Sequence, residues 1–220
     1  MTTLTTILYD LDGTLIDSRR DIAMAFQYAL RRLTADALPG EDAIAQHIGK
    51  PLAQMARELG YHFTPAQETL FLETYRARYA ASGAHHTHLY PGVLTTLHAL
   101  SALAFGIVTT KAQDQAETVL RDLQMTSFFQ HIQGGVPGLR LKPAPDMVIA
   151  ALTALRCLPQ QALMVGDTTA DILAGKAAGL TTCAVTYGFG TPEELQASQP
   201  DYVIDTFSEL VALVADLERG

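Results

Sequence analysis

Ile7-Leu8-Tyr9-Asp10-Leu11-Asp12-Gly13-Thr14 is a short apolar run that breaks abruptly into acids, a glycine and a hydroxyl. The run has no polar alternation, which favours a strand covered on both faces, as in a parallel sheet. Three further runs read the same way: Phe105-Gly106-Ile107-Val108, Ala162-Leu163-Met164-Val165 and Cys183-Ala184-Val185. Helical patterns lie between and around them, over 91–103, 112–123, 147–155 and 171–178, with Gly179 placed as a C-cap glycine. Thr206 and Glu209 form a capping-box pattern opening a last helix, with Leu210, Leu213, Val214 and Leu217 on one face. Strands and helices in this order predict a doubly wound, mostly parallel α/β sheet.

One stretch departs from that rhythm. From about Ser18 to Ser82 the pattern is helical throughout. Ile22, Phe26, Ala29, Leu30 and Leu33 make an apolar stripe, and Pro51 and Pro65 each suit the first turn of a further helix. The expected organisation is an α/β core of residues 1–16 and 83–220, with an all-helical unit, 17–82, inserted after the first strand. The histidine-rich Ala84-His85-His86-Thr87-His88 falls at the return crossing, where a solvated loop is the favoured reading over a metal site.

Composition narrows the possible partners. The chain has 220 residues, 48% hydrophobic and 17% charged, so a folded globular protein is expected. Fifteen Lys and Arg against 23 Asp and Glu give a net charge of −8, which repels phosphate backbones and anionic lipid surfaces. No nucleic-acid or membrane partner is therefore expected. Any anionic substrate would need a local positive site built against the overall field. Two cysteines, Cys157 and Cys183, cannot make a disulfide framework, and no secretory or membrane-spanning pattern is read. A soluble, cytoplasmic protein is expected, with monomer and homodimer both open.

In open α/β sheets ligands gather beyond the carboxyl ends of the strands. The first run ends in Asp10-Leu11-Asp12-Gly13-Thr14, the second in Thr109-Thr110-Lys111, and the third in Gly166-Asp167-Thr168-Thr169-Ala170-Asp171. Four carboxylates on one edge repel one another unless a cation or a proton intervenes. Hard oxygen ligands of this kind suit Mg²⁺. For Thr168 or Thr169 the helix N-cap reading stands level with a catalytic one. Lys142, held out of a helix by Pro143, is the candidate cation for the same edge. No Gly-x-x-x-x-Gly-Lys-Ser/Thr loop is present, and Gly188-Phe189-Gly190 reads as turn geometry.

Asp10-x-Asp12-Gly13-Thr14, Thr109 after an apolar strand, Lys142-Pro143 and Gly166-Asp167-x-x-x-Asp171 resemble, in order, the four motifs of the haloacid dehalogenase superfamily. The resemblance spans essentially the whole chain, and the helical insertion looks like that superfamily's small cap on its Rossmann-like core. The nearest likeness is to phosphoglycolate phosphatases, carried also by Tyr90-Pro91-Gly92-Val93 and Tyr187-Gly188-Phe189-Gly190. The resemblance implies a hydrolase acting on a small phosphorylated metabolite. Asp10 would be the nucleophile, forming an aspartyl-phosphate. Asp12 would be general acid and then base. Thr109 and the backbone near Leu11 and Asp12 would bond the phosphoryl oxygens, and Lys142 would offset the charge between Asp10 and substrate. Asp10, the Asp12 carbonyl, Asp167 and Asp171 would hold Mg²⁺, Asp171 through water or by orienting Lys142. Asp12 also separates reaction classes, since a departing halide needs no proton. Relatives often carry Asn where Thr110 stands, which bears on substrate positioning. Lys50, in the cap turn Gly49-Lys50-Pro51-Leu52, would face a substrate carboxylate or else be solvated. Sugar-phosphate mutase, pyrophosphatase, carbon–phosphorus hydrolase and phosphate-sensing module are the alternatives.

Overall fold

The structure is a computed structural model that describes residues 3–219. It begins with β1 (Thr6–Tyr9) and the short β2 (Ile16–Asp17). Four helices follow: α1 (Arg19–Leu30), α2 (Glu41–Ala45), α3 (Leu52–Glu58) and α4 (Pro65–Ser82). The chain then returns through β3 (His88–Leu89), which pairs antiparallel with β2. Strand and helix alternate from there: α5 (Val93–Ala99), β4 (Ala104–Ala112), α6 (Gln113–Asp122), β5 (His131–Gly135) and α7 (Asp146–Leu155). The last elements are β6 (Ala162–Gly166), α8 (Thr169–Ala177), β7 (Thr181–Val185), α9 (Pro192–Ser198), β8 (Tyr202–Ile204) and α10 (Leu210–Arg219).

The main sheet has six strands in the order β5-β4-β1-β6-β7-β8, every neighbouring pair parallel. Its central strand explains the unbroken apolar signal. Leu8 packs on one face with Val108, Met164 and Val148 of α7, while Ile7 and Tyr9 pack on the other with Ile107, Val165 and Phe207. Successive residues of a strand point to opposite faces, so a strand covered twice must be apolar at every position. From β1 the chain builds outward to β5 on one side and resumes at β6 on the other. The crevice beyond the ends of β1, β4 and β6 is therefore the topological switch point, where ligands are expected.

The inserted helices obey the same physics. Thr64 caps α4 by accepting a hydrogen bond from Gln67 N, and Pro65 takes the first helical position, where a missing N–H costs nothing. Pro51 stands one place earlier than expected, as the residue before α3, not within it. Phe26 of α1 meets Phe71 of α4 edge-on at 5.1 Å between ring centres, and both are fully buried. Each such side chain contributes roughly 1.5–3 kcal/mol by leaving water. Asp21 of α1, 2% exposed, accepts hydrogen bonds from His86 N at 2.9 Å and Thr87 Oγ1 at 2.7 Å. The histidine-rich crossing is thus a structural tie, and none of its histidines belongs to a metal-ligating cluster among the described residues.

Five strand assignments differ from the sequence reading, among them β2 and β3, which at two residues each are too short to carry a pattern. β5 and β8 were not foreseen, since His-Ile-Gln-Gly-Gly and Tyr-Val-Ile are edge strands with polar or exposed positions and little apolar content to mark them. β4 runs on through Thr109, Thr110 and Lys111 to Ala112, with its register against β5 shifting between Val108 and Ala112. Such an irregularity re-aims side chains, and here it lies beside the crevice. Thr206 with Glu209 opens the C-terminal helix as expected, through one 3₁₀ turn, and Gly179 follows α8 with a left-handed φ of 83°.

Candidate active site

Asp10 leaves β1 at the centre of the sheet, 3% exposed. Asp167 and Asp171 follow β6, both fully buried, and one carboxylate oxygen from each of the three lies within 4.8 Å of the others. A single ammonium is set among them. Lys142 Nζ donates to Asp10 Oδ1 at 2.8 Å, to Asp171 Oδ1 at 2.5 Å and to the Val108 carbonyl at 2.6 Å. Lys142, the residue before Pro143, thus has its ammonium at the end of β1, against Val108 of β4 and beside Asp171.

Each acid is held differently. Asp171 spends Oδ1 on Lys142 and Oδ2 on the N–H and hydroxyl of Thr168, at 2.9 and 2.6 Å. Thr168 is accordingly the residue preceding α8, the N-cap reading of the two left open. Asp167 accepts from Thr14 Oγ1 and from Phe189 N, both at 2.8 Å. Asp10 gives Oδ1 to Lys142, and its Oδ2 accepts no side-chain hydrogen bond among the described residues. Two glycines make room for Asp167: a Cβ on Gly13, which has φ +91°, or on Gly188 would fall on its carboxylate. Gly188-Phe189-Gly190, read from sequence as a plain turn, therefore wraps Asp167. Its sequence signals were the pair of glycines flanking one residue after a strand and the likeness of Tyr187-Gly188-Phe189-Gly190 to relatives.

Charge does not balance at this cluster. Burial pushes the Asp10 carboxyl up to about 7, with the Lys142 ammonium opposing that shift and Asp171 adding to it. Asp167 rises well above the usual carboxylate range, first because it is buried and then because Asp10 and Asp171 face it. Burial works against the Lys142 ammonium, yet Asp10 and Asp171 outweigh it and hold its pKa above that of ordinary lysine. Three buried acids with one cation, and donors all of hard oxygen, fit a divalent metal ion.

Asp12 sits apart from the three. Its Oδ1 accepts from Ser18 Oγ at 2.5 Å and lies 3.1 Å from Lys111 Nζ. Lys111 was not singled out by the sequence, though it lies directly after Thr109-Thr110. Its ammonium also donates to Tyr79 Oη of α4 at 3.1 Å and lies 4.4 Å from the centre of that ring. Thr109 is buried, and its hydroxyl accepts from Lys111 N at 3.2 Å. Thr110 donates to the Gly49 carbonyl at 3.0 Å, joining the sheet to the helical insertion. Leu11 is fully buried, and its carbonyl closes the turn by accepting from the N–H groups of Leu15 and Ile16.

A cavity of about 410 Å³ opens from Asp12 between the sheet and the insertion. Lys50, Arg76, Lys111, Thr110 and Gln115 are among the residues of its wall. Lys50 reaches the cavity, but its ammonium is engaged by Glu58 at 2.7 Å, a carboxylate that this hydrogen bond, with those from Gln54 and His47, lowers to about 2. Among the described residues no helix is long and apolar enough to cross a membrane.

Residues 7–185 match the family model of the haloacid dehalogenase-like hydrolases. Full-length similarity extends to a phosphoglycolate phosphatase of Aquifex aeolicus, 34% identical over 94% of this chain and 95% of that protein. A pyrophosphatase PpaX of Listeria monocytogenes is 35% identical over 98% of both chains. Among solved structures, the haloacid dehalogenase-like hydrolase SP0104 of Streptococcus pneumoniae superposes with a TM-score of 0.87 at 32% identity, covering 97% of this chain and 99% of that one. A structure described as a predicted phosphatase from Clostridium acetobutylicum gives a TM-score of 0.90 at 25% identity, over 98% and 100%. By its match along the sheet, its full-length relatives and its cluster of buried aspartates, the chain belongs to the haloacid dehalogenase-like hydrolases, among that family's phosphatases.

Proposed function

We propose that the protein is a Mg²⁺-dependent phosphatase that hydrolyses a small phosphate monoester of the phosphoglycolate type through an aspartyl-phosphate on Asp10. The observation that carries this reading is the Asp10 carboxylate, with one oxygen fixed by Lys142 at 2.8 Å and the other without a side-chain donor. A carboxylate so held presents one lone pair in a fixed direction, which in-line attack on phosphorus requires. Like charges oppose that approach. Lys142 supplies one compensating charge, and a Mg²⁺ ion bound by Asp10, the Asp12 carbonyl and Asp167 would supply the rest by neutralising the phosphoryl oxygens. Asp171, whose Oδ1 accepts from Lys142 at 2.5 Å, would orient that lysine and meet the metal through water.

Asp12 lies two residues on, facing the cavity where the leaving group would sit. It would protonate the departing oxygen and later take a proton from the attacking water. Thr109 and the backbone around Leu11 would hold the phosphoryl oxygens, and Thr110 and Lys50 would border the leaving group. The helical unit 17–82 would act as a cap that excludes water during the first step. Pyrophosphate is the second candidate substrate, favoured by the similarity to a pyrophosphatase and by the cations of the cavity wall. Free thiols at Cys157 and Cys183 suit a reducing, cytoplasmic setting.

The test is release of inorganic phosphate from a panel of small phosphate esters and pyrophosphate, with and without Mg²⁺, using Asp10→Asn as control. Phosphoglycolate is expected to give the highest kcat/KM, and Asp10→Asn to lose at least about 10³-fold, the scale of an activated nucleophile's contribution. Equal turnover by the variant would remove the mechanism.

A further inference from the structure

We infer that Gln115 is a substrate-binding residue that hydrogen-bonds a second anionic oxygen group on the leaving group, which makes the substrate class a phosphate ester or anhydride whose leaving group is itself an anion. The inference rests on the phosphatase reading above and adds to it the chemistry of the group that departs.

The argument starts from an unmatched amide. Gln115 lies in the first turn of α6, at the wall of the 410 Å³ cavity, and is 7% exposed. Its buried Nε2 has no hydrogen-bond partner among the described residues. A buried donor left unpaired costs about 1–3 kcal/mol, so such groups call for an explanation. Gln113, two residues earlier, shows what an ordinary structural glutamine does in this helix. Its Oε1 accepts from Gly134 N at 2.6 Å, and its Nε2 donates to the Ile132 carbonyl at 2.9 Å. Gln115 Nε2, two positions on and so turned to a different side of the helix, makes no such bond among the described residues.

The cavity's charge says which ligand the amide would meet. Lys50, Arg76 and Lys111 contribute to the wall; Glu58 engages Lys50 and Asp12 offsets Lys111, which leaves Arg76 as the surplus cation, in a chain whose net charge is −8. A local surplus of positive charge raised against the overall field favours an anion. A carboxamide on the same wall supplies N–H donors without adding charge, and rotation about its last torsion turns the NH₂ end toward a bound oxygen. Asp12 borders the same cavity, so an anion held there lies on the leaving-group side of the phosphoryl site. A site built to hydrogen-bond such a group rejects a substrate that lacks it more strongly than an apolar pocket would.

The test compares phosphoglycolate with ethyl phosphate, which has the same length but no carboxylate, in the wild-type protein, Gln115→Met and Gln115→Glu. Gln115→Met keeps the volume and removes the donors, and Gln115→Glu keeps the shape and reverses the polarity. The ratio of kcat/KM for phosphoglycolate over ethyl phosphate is expected to fall about tenfold in Gln115→Met, the effect of one hydrogen bond to a charged group, and further in Gln115→Glu. Calorimetric binding of phosphoglycolate to Asp10→Asn protein is expected to weaken by a similar factor when Gln115→Glu is added, a readout independent of turnover. A ratio unchanged within twofold in both variants, or binding unaffected by Gln115→Glu, overturns the inference while leaving the phosphatase reading intact. Failure of the wild-type protein to release phosphate from any ester overturns the phosphatase reading, and the calorimetry still decides the role of Gln115.

Discussion

Lys111 Nζ and Asp12 Oδ1 lie 3.1 Å apart, and the same ammonium donates to Tyr79 Oη across the gap between sheet and helical insertion. The side chains of Lys111 and Asp12 are 5% and 8% exposed, so this is a buried pair. It places the proposed acid–base carboxylate and the longest inserted helix on one cation. Burial opposes the Lys111 charge, but Asp12 and then the two tyrosines Tyr79 and Tyr75 raise its pKa above that of ordinary lysine. The Lys111 ammonium therefore stays charged at neutral pH.

Removing one partner of such a pair leaves the other buried and uncompensated. Lys111→Met should destabilise the protein by about 3–5 kcal/mol, the usual cost of that kind of change. Adding Asp12→Asn should restore much of the loss, because the orphaned charge goes with it. Chemical denaturation of the two single variants and the double variant measures the coupling. Additive losses would show that the pair contributes nothing to stability.

The response to divalent cations should depend on pH in a definite direction. Asp10 and Asp167 have folded pKa values raised above the unfolded carboxylate value, Asp10 to about 7. A raised folded pKa gives stability that is present below the unfolded pKa and is lost as pH rises through the folded one. The metal-free protein should lose stability from about pH 4 to above pH 7 on this account, as the cluster ionises. A bound cation needs the ionised cluster, so its stabilisation should grow over the same window. At Mg²⁺ 100-fold above its dissociation constant near pH 8, a rise in Tm of about 5–10 °C is expected. At pH 5 the rise should be much smaller. A rise independent of pH in thermal melts would place the cation elsewhere.

How much of this was legible in the sequence depends on how locally each feature is encoded. β1, β6 and β7 announced themselves because a strand covered on both faces must be apolar throughout, as Leu8 and Tyr9 illustrate on opposite faces. β5 and β8 sit at the sheet edges, where pairing comes from the neighbour and the residues need carry no apolar signal. Lys142 was read from the proline after it, and the gathering of Asp10, Asp167 and Asp171 followed from strand ends meeting at one edge. Lys111 did not, since nothing local says that a bulge in β4 turns it toward Asp12 and away from solvent. Gly188 was missed for a similar reason: its constraint is a carboxylate 21 positions away in sequence.

Asp12 serves two proposed steps, and substrates can separate them. In Asp12→Asn, esters with alkyl leaving groups should lose about 10²–10⁴-fold in kcat, the contribution of a positioned proton donor. p-Nitrophenolate leaves without a proton, so attack by Asp10 on that ester should survive while water attack on the acyl phosphate slows. A burst of p-nitrophenolate stoichiometric with enzyme, followed by slow turnover, is the expected trace in rapid-mixing experiments. Equal losses on both classes of ester, without a burst, would assign Asp12 to structure alone.

Gly188→Ala tests whether the turn after β7 shapes the aspartate cluster proposed to hold the metal. A methyl group there falls on the Asp167 carboxylate, whose Oδ2 accepts from Phe189 N at 2.8 Å. The carboxylate must swing or the turn must lift, and either movement takes a proposed ligand from its place. Overpacking of this kind costs about 1–3 kcal/mol. Loss of an oriented ligand should weaken apparent Mg²⁺ affinity by about 10- to 100-fold, as changes to groups that hold metal ligands do. The signature is a shifted Mg²⁺ activation curve with kcat largely recovered at saturating metal. If stability alone falls and the activation curve stays put, the turn packs against Asp167 without setting its geometry.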